Sequence, residues 1–236
     1  KPQNLLEAML AAADEEDSGI DDRMIAGNVL TMLLAGEDTT ANTLAWMIDL
    51  LWSHPAALAR ATEEVRRVVA PDADGELAPS MEQLAELDFV EACIHETMRL
   101  KPVAPLIGLQ ALRDTVVGNV AIPAGMVIIN VMRRDSVSDS HMPRAADFEP
   151  ERWLAAGQAS AAAGHPTSAK RTSMPFGAGP RICPGRYMAL LEMKLAIAVL
   201  LGRFDILSVD TADGQPAKEK LQLAMSPVGL RLRLSE

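Results

Sequence analysis

The stretch that decides the fold is Phe176-Gly177-Ala178-Gly179-Pro180-Arg181-Ile182-Cys183-Pro184-Gly185. It sets one cysteine in a loop rich in glycine and proline, directly before an apolar run at 187–201 that predicts a helix. Pro184 suits the first position of that helix, which would place Cys183 near the helix N-terminus. Unpaired amides and the helix dipole favour a thiolate there. The loop therefore predicts a rigidly held thiolate that could act as an axial ligand to haem iron.

Cys183 also has two plainer interpretations. A lone buried cysteine usually packs as a small hydrophobic side chain. A disulfide with Cys93, the only other cysteine, cannot be judged from spacing. Against both stands the pattern Phe-x-x-Gly-x-Arg-x-Cys-x-Gly, whose fixed positions are filled by Phe176, Gly179, Arg181, Cys183 and Gly185.

This pattern closely resembles the haem-binding loop of the cytochrome P-450 superfamily. The resemblance implies that Cys183 binds the iron, that Arg181 pairs with a haem propionate, and that Phe176, Gly179 and Gly185 shape the loop around the cofactor.

Composition limits the class of protein. The chain has 236 residues, 49% hydrophobic and 23% charged, which is ordinary for a globular protein. A formal charge of -10 and an aromatic content of 3% argue against a nucleic-acid binder. The apolar runs are much shorter than the ~20 residues of a spanning helix. We expect a cytoplasmic protein. Because the chain starts at Lys1 and lacks an initial Met, we also expect residues before it, and a membrane anchor there stays open.

Helical periodicity dominates the first hundred residues. It predicts helices over 4–13, 21–53, 55–70, 81–87 and 89–100. The helix 21–53 has apolar positions on more than one face, which predicts burial through the middle of the fold. Strands are expected at 115–117, 120–122, 127–131, 204–207, 221–224 and 230–234, and a surface loop at 155–170. The sequence thus predicts one continuous domain over 1–236, mainly α with a minor β-sheet content.

The segment Ala35-Gly36-Glu37-Asp38-Thr39-Thr40 interrupts the long helix with residues that compete for backbone hydrogen bonds. One interpretation is a polar patch that meets solvent. The other is that Asp38 and Thr39 locally open the helix to form a small polar groove. The segment resembles the oxygen-activation motif of the same superfamily. The resemblance implies that Asp38 and Thr39 deliver protons to dioxygen, while Ala35 and Gly36 keep the helix close to the haem.

Glu96 and Arg99 share one helix face at a spacing of three residues. Glu63 and Arg66, or Glu64 and Arg67, have the same spacing, and we interpret those as a solvated face. The context of Glu96 differs, since the segment 148–153 resembles the family segment whose arginine, here Arg152, completes a buried Glu-Arg-Arg cluster. We assign the cluster to assembly of the core and not to chemistry.

Further sites follow from the resemblance alone. The resemblance implies that Arg133 contacts a haem propionate, whereas Leu109 stands where many members of the family carry a propionate-binding arginine. Arg186 and Lys194 could face an acidic electron donor, or simply form a solvated face. The substrate pocket would be lined by apolar residues that core packing explains equally well: Val103, Ala104, Leu106, Ile107, Leu223 and Ala224.

The resemblance implies a haem-thiolate monooxygenase that inserts oxygen from dioxygen into a hydrophobic substrate. Electrons would come from a ferredoxin, or from a flavodoxin or reductase, since no flavin or nicotinamide glycine motif is present. One alternative is a haem-thiolate peroxygenase or isomerase, which the Asp38-Thr39 pair disfavours. The other is a truncated chain that is inactive or pairs with a missing N-terminal half.

Overall fold

The structure is a computed structural model and describes residues 2–69, 71, 76–154 and 169–235.

The first part of the chain is helical. Five helices lead the chain: α1 (Leu5–Ala13), α2 (Asp22–Ser53), α3 (Pro55–Val68), α4 (Met81–Ala85) and α5 (Asp88–Leu100). The carboxylate of Asp21 accepts the Met24 N–H at 2.7 Å and so caps α2. Ser80 and Gln83 form a capping box at α4.

Short antiparallel strands occupy the middle of the chain. Strand β1 (Leu106–Gln110) pairs with β4 (Val127–Val131), and between them β2 (Thr115–Val117) pairs with β3 (Val120–Ile122). The β2–β3 hairpin turns at Gly118, whose φ of 62° is a conformation that glycine adopts without strain. A short helix, α6 (Met132–Ser136), follows β4 directly.

The last part of the chain contains the cysteine loop. A 3-10 helix (Pro150–Trp153) and α7 (Ala169–Ser173) precede it, and α8 (Arg186–Arg203) follows it. The chain then forms β5 (Asp205–Thr211), β6 (Lys218–Leu221), β7 (Met225–Val228) and β8 (Leu230–Ser235). Strand β5 pairs with β8, and β6 pairs with β7. The prediction of a mainly α fold with a minor sheet content is confirmed.

The core lies where the C-terminal half of α2 meets α3, α5 and α8. Large side chains from all four helices are fully or almost fully buried there, including Met47, Leu51, Val65, Ile94, Ile197 and Leu201. Burying one such side chain contributes about 1.5–3 kcal/mol. This four-helix packing fixes α8, and with it the end of the cysteine loop.

The expectation that α2 is buried along its length is wrong for its N-terminal half. Leu30, Leu33 and Leu34 are 59%, 67% and 53% exposed, whereas Trp46 and Met47 further along are completely buried. The reason is that, in the described ranges, α3, α5 and α8 pack around the core-facing C-terminal half. Periodicity on more than one face predicted apolar contact but could not say which residues supply it.

Two other expectations also need comment. The predicted strand 221–224 is mostly a turn, because β6 ends at Leu221 and β7 begins at Met225. Strand β1 starts at Leu106, earlier than the pattern indicated. The predicted loop at 155–170 lies outside the described residues, apart from Ala169 and Lys170, which belong to α7.

A buried carboxylate stands at the centre of the fold. Glu96 has no exposed surface, and its two oxygens accept five hydrogen bonds. Arg99 donates two of them at 2.8 Å in a bidentate pair, and Arg152 donates a third at 3.3 Å. The backbone N–H of Glu149 and the indole N–H of Trp153 supply the others, each at 2.8 Å. The structure therefore brings Glu96, Arg99 and Arg152 together.

Arg99 extends this cluster to other parts of the chain. Its guanidinium donates to the carbonyl oxygens of Ser136, Ala145 and Asp147. The Ser136 hydroxyl donates back to the Arg99 carbonyl at 3.0 Å. Since Ala145 and Trp153 also pack with Ala169 of α7, the cluster joins α5 to the segments that lead into the cysteine loop.

Glu63, Arg66 and Arg67 are exposed, as the solvated-face interpretation expects, but Glu64 is half-buried and has a different role. The two Glu64 oxygens accept the N–H groups of Phe89 and Val90 at 2.9 and 2.8 Å. Arg66 donates from Nε to the Leu201 carbonyl at 3.0 Å, at the end of α8. A carboxylate at a helix N-terminus satisfies free amides and the helix dipole, so Glu64 caps α5 from a neighbouring helix.

We predict that Glu96→Ala leaves two buried guanidinium groups without their carboxylate. The cost is about 3–5 kcal/mol, a large share of the ~5–15 kcal/mol that stabilises a typical domain. Thermal and urea unfolding should show a strongly destabilised or insoluble variant. Glu63→Ala, on exposed helix surface, is the control and should be nearly neutral. Equally small shifts for both variants would contradict a buried cluster.

The adjacent pair Glu63 and Glu64 offers a matched test of the cap. Glu64→Gln should lower the free energy of unfolding by about 1 kcal/mol. The reason is that the Gln side chain has one acceptor oxygen and no charge, whereas each of the two Glu64 oxygens accepts one backbone N–H. Glu63→Gln removes the same charge one residue away and should leave urea denaturation unchanged. Indistinguishable midpoints for the two variants would show that Glu64 is not a cap.

Candidate functional site

The cysteine loop is shaped by its own backbone. The N–H of Cys183 donates to the Phe176 carbonyl at 2.9 Å, which closes the loop on itself. Gly177 and Gly179 have φ angles of 72° and 69°, so a larger side chain at either position would be strained. Phe176 packs against the main core and anchors the start of the loop. The thiol is half-buried, which leaves its sulfur partly accessible.

The helix behind the loop starts two residues later than expected. Pro184 is not the first helical residue, because α8 begins at Arg186 with Gly185 as its N-cap. The Gly185 carbonyl accepts the Ala189 N–H at 2.9 Å. Gly185 has an ordinary φ of −83°, and an added Cβ would lie 4.0 Å from the Cys183 sulfur. Backbone conformation therefore does not require glycine at position 185, but the missing Cβ keeps the space beside the Cys183 sulfur open.

The two cysteines have opposite surroundings, and both are free thiols. The disulfide interpretation is therefore wrong. Cys93 has no exposed surface, and burial raises the pKa of its thiol well above the ordinary value. A thiol held protonated in the core is a poor metal ligand. Cys183 is the accessible sulfur of the pair.

The segment 35–40 stays α-helical, contrary to the expectation that it opens α2. The Thr39 hydroxyl donates to the Ala35 carbonyl at 2.6 Å, and the Thr43 hydroxyl donates to the Thr39 carbonyl at 2.8 Å. These bonds satisfy the hydroxyl hydrogens within the helix and remove the need for an opening. Asp38 is exposed, and nothing lies within 4 Å of a Cβ built on Gly36. This stretch of α2 presents an open surface.

The arginines assigned to propionates differ in their partners. Arg181 is exposed at the end of the 3-10 turn Gly179–Arg181 in the cysteine loop. The Nη1 of Arg133 lies 2.8 and 2.7 Å from the two carboxylate oxygens of Glu219 on β6. Arg133 thus already has a protein partner, and its propionate contact stays a prediction.

The residues assigned to the substrate pocket come from two segments, 103–107 and 223–224, which the structure joins. The Val103 carbonyl accepts the Met225 N–H at 2.8 Å, next to the turn that carries Leu223 and Ala224. Ala224 is 3% exposed and Leu223 is 65% exposed, so only Leu223 presents a free side chain. The others assigned here, Ala104, Leu106 and Ile107, lead into or belong to β1.

Lys194 does not face solvent, as a docking lysine would. It is 7% exposed and forms a salt bridge with Glu91 of α5 at 2.5 Å. The His95 Nε2 lies 3.8 Å from a Glu91 carboxylate oxygen. Hydrogen bonding to His95 and to the Lys194 ammonium lowers the pKa of Glu91 to about 2. Arg186 donates to the Cys183 carbonyl at 3.2 Å and lies over the Tyr187 ring. Lys194 is therefore a link between α5 and α8.

Sequence reasoning missed several residues that matter. Trp153 gave no signal of its own within the segment 148–153, yet its indole N–H donates a hydrogen bond to the Glu96 carboxylate. Glu219 gave no signal, because its partners lie 118 and 86 residues away along the chain.

The donor set fits a haem. A free, half-buried thiol stands in a closed loop, an exposed arginine lies two residues before it, and the surface of α2 at Gly36 is open. Within the described ranges, no three His, Cys, Asp or Glu side chains come together as a metal cluster. A cofactor that needs one protein sulfur and a charged anchor is the group these residues suit.

No helix in the part of the chain that the structure describes is long and apolar enough to cross a membrane.

Known proteins resemble the chain in sequence and in structure. The family model described as Cytochrome P450 matches residues 1–234. Methyltetrahydroprotoberberine 14-monooxygenase of Papaver somniferum is 34% identical over 190 residues, which cover 80% of the chain and 35% of that protein. The human mitochondrial 25-hydroxyvitamin D-1 alpha hydroxylase is 34% identical over 182 residues, which cover 77% of the chain and 34% of that protein.

A crystal structure of a cytochrome P450 (CYP102L1) superposes with a TM-score of 0.83 at 30% identity, covering 97% of the chain and 49% of that structure. The chain spans less than half the length of the curated relatives that it matches. With the family model matched over almost every residue and the fold shared, the chain belongs to the cytochrome P450 family.

Proposed function

We propose that the chain is the haem-binding portion of a haem-thiolate monooxygenase that inserts one oxygen atom from dioxygen into a hydrophobic substrate. The observation that carries the proposal is the free, half-buried Cys183 in a loop closed by the Phe176 carbonyl. P450s bind haem, and a cysteine thiolate bound to the haem iron would supply the electron density that favours O–O cleavage. The relatives that match include monooxygenases by name.

Each residue of the site has a proposed task. Cys183 supplies the thiolate, and the closed loop limits its movement. Arg181, exposed in the same loop, offers a guanidinium that suits bidentate recognition of a propionate. Phe176 and Gly179 hold the loop shape, and Gly185 keeps the space beside the sulfur open.

Asp38 and Thr39 are proposed to move protons during dioxygen activation. The Thr39 hydroxyl donates its hydrogen to the Ala35 carbonyl, so its oxygen remains able to accept a hydrogen bond from an incoming group. Asp38 is exposed one residue earlier, where it can exchange protons with water. Ala35 and Gly36 add little bulk, which leaves the surface of α2 accessible.

The substrate and the electron donor follow from the same proposal. Apolar side chains of β1 and Leu223 on the β6–β7 turn favour a hydrophobic small molecule. Electrons would come from a ferredoxin or flavodoxin type of partner, or from a reductase. Because Lys194 is buried, the charge offered to such a partner would come from Arg186 and not from Lys194. A cytoplasmic location stays a prediction.

The exposed face of α1 and α2 favours a second candidate, in which this chain is inactive until another segment covers it. A groove of about 520 Å³ runs between the two helices and is lined mainly by apolar residues, including Leu6, Ile25, Val29, Leu30 and Leu33. Contiguous apolar surface of this kind usually marks an interface. A missing N-terminal half of the family fold is the proposed occupant.

We predict that Cys183→Ala abolishes the red-shifted Soret band of the reduced, CO-bound protein, because that band requires a thiolate ligand. Cys183→His should give a histidine-type spectrum in its place. Cys93→Ala, which changes the buried thiol, is the matched control and should leave the spectrum unchanged. A red-shifted band that survives in Cys183→Ala would refute the assignment.

The proton-delivery residues should fail in different ways in the complete enzyme. Thr39→Ala is expected to keep haem and substrate binding but to divert electrons into hydrogen peroxide, since the hydroxyl that accepts a hydrogen bond is lost. Asp38→Asn should slow turnover, because an amide does not relay a proton. The measurement is product formed and peroxide released per electron donor consumed, with a competent redox partner. Wild-type coupling in Thr39→Ala would favour a peroxygenase or isomerase.

A further inference from the structure

The hairpin of β6 and β7 is a two-stranded sheet that, in the described part of the chain, pairs with no other strand. An isolated two-stranded hairpin is at best marginally stable in water, so its position depends on how it is fastened to the rest of the fold. Its turn, residues 222–224, carries Leu223 and Ala224, which the proposed function places at the substrate pocket. The fastening of this hairpin therefore bears on what the pocket accepts.

The β7 side is fastened at one residue. The Met225 N–H donates to the Val103 carbonyl at 2.8 Å, and the Met225 carbonyl accepts the Trp46 indole N–H at 3.1 Å. These two hydrogen bonds, one from a backbone N–H and one from an indole side chain, tie the start of β7 to the segment after α5 and to the buried half of α2.

The β6 side is fastened by the carboxylate of Glu219. Glu219 accepts from the Lys101 ammonium at 2.6 Å and from the Arg133 guanidinium at 2.8 and 2.7 Å. Lys101 follows α5, Arg133 belongs to α6, and the Lys101 ammonium also lies 4.4 Å from the centre of the Trp46 ring. Three elements thus meet at Glu219.

Lys101 and Arg133 share one negatively charged partner at this junction, and only when Glu219 is ionised. Partial burial would raise the pKa of Glu219, but the hydrogen bonds from Lys101 and Arg133 outweigh it and the pKa is lowered. Without the Glu219 carboxylate, the Lys101 and Arg133 cations would repel each other and would no longer hold the hairpin. The side chain of Glu219 is 28% exposed, so solvent weakens the pairing without removing it.

We propose that Glu219 is a specificity-determining positioning residue: by pairing with Lys101 and Arg133 it holds the turn 222–224 in place and so decides the size of hydrophobic molecule that the pocket admits. The specificity role rests on the proposed function. In the turn so held, Ala224 is 3% exposed and Leu223 beside it is 65% exposed.

The test compares Glu219→Gln with Lys220→Gln in the full chain. Lys220 is the neighbouring residue on β6, with its side chain on the opposite face of the strand. Amide hydrogen exchange read by mass spectrometry should be about fivefold faster over 218–228 in Glu219→Gln, the factor expected when a partly exposed ion pair is lost. Exchange in α8 should stay unchanged. Glu219→Asp, which keeps the charge, should restore part of the protection.

A second measurement reads the pocket itself. The haem-loaded chain is titrated with imidazole and with the bulkier 4-phenylimidazole, and the ratio of the two dissociation constants is taken from the Soret shift. We expect that ratio to change by about fivefold in Glu219→Gln, following the loosened turn, and to stay at the wild-type value in Lys220→Gln.

Several outcomes would overturn the proposal. Unchanged hairpin exchange in Glu219→Gln would show that the clamp does not position the turn. Faster exchange in α8 as well would reduce Glu219 to a general stabiliser. A loosened hairpin with an unchanged ratio of dissociation constants would remove the role in specificity. Absence of haem uptake by the wild-type chain would instead contradict the proposed function, and the exchange comparison would still decide the clamp.

Discussion

The buried carboxylate of Glu96 is the interaction on which the rest of the structure depends. A carboxylate without water is costly unless it is fully paired, and here Arg99, Arg152, Trp153 and the Glu149 amide all donate to it. The partners come from α5 and from the 3-10 helix that lies more than fifty residues further along the chain. The fold must therefore bring these segments together before the charge can be buried at tolerable cost.

The cysteine loop takes its position from that assembly. Ala169 of α7 packs with Trp153 beside the cluster, and the loop starts a few residues later at Phe176, which reaches the main core. At its other end α8 is held by the core and by the Lys194–Glu91 pair with α5. Both ends of the cysteine loop are fixed, so the hydrogen bond from the Cys183 N–H to the Phe176 carbonyl is enough to hold Cys183 in one place.

Sequence patterns predicted features that depend on neighbouring residues. The helix predicted over 21–53 and the strands predicted at 115–117 and 120–122 all lie where short-range patterns placed them. The charged triad was also foreseen, although only because a resemblance supplied the distant Arg152. Spacing alone could not separate Glu96 from Glu64, since both stand three residues before an arginine.

The errors have a common physical cause, which is that burial depends on partners far away in sequence. Glu64 and Lys194 look like surface charges until α5 is placed beside them. The α2 helix looks uniformly buried, but in the described residues only its second half packs into the main core, while Leu30, Leu33 and Leu34 of its first half are exposed. The late start of α8 after Pro184 is a local detail that proline preference predicts only to within a turn.

The account's central claim is that one sulfur atom of this chain, that of Cys183, binds haem iron. X-ray absorption at the iron edge of the haem-loaded wild-type chain tests it most directly, because the scattering shell of the iron distinguishes sulfur from nitrogen and oxygen. The account predicts a single sulfur neighbour in addition to the four nitrogens of the porphyrin. A first shell that contains only nitrogen and oxygen, in protein shown to hold haem, would contradict it.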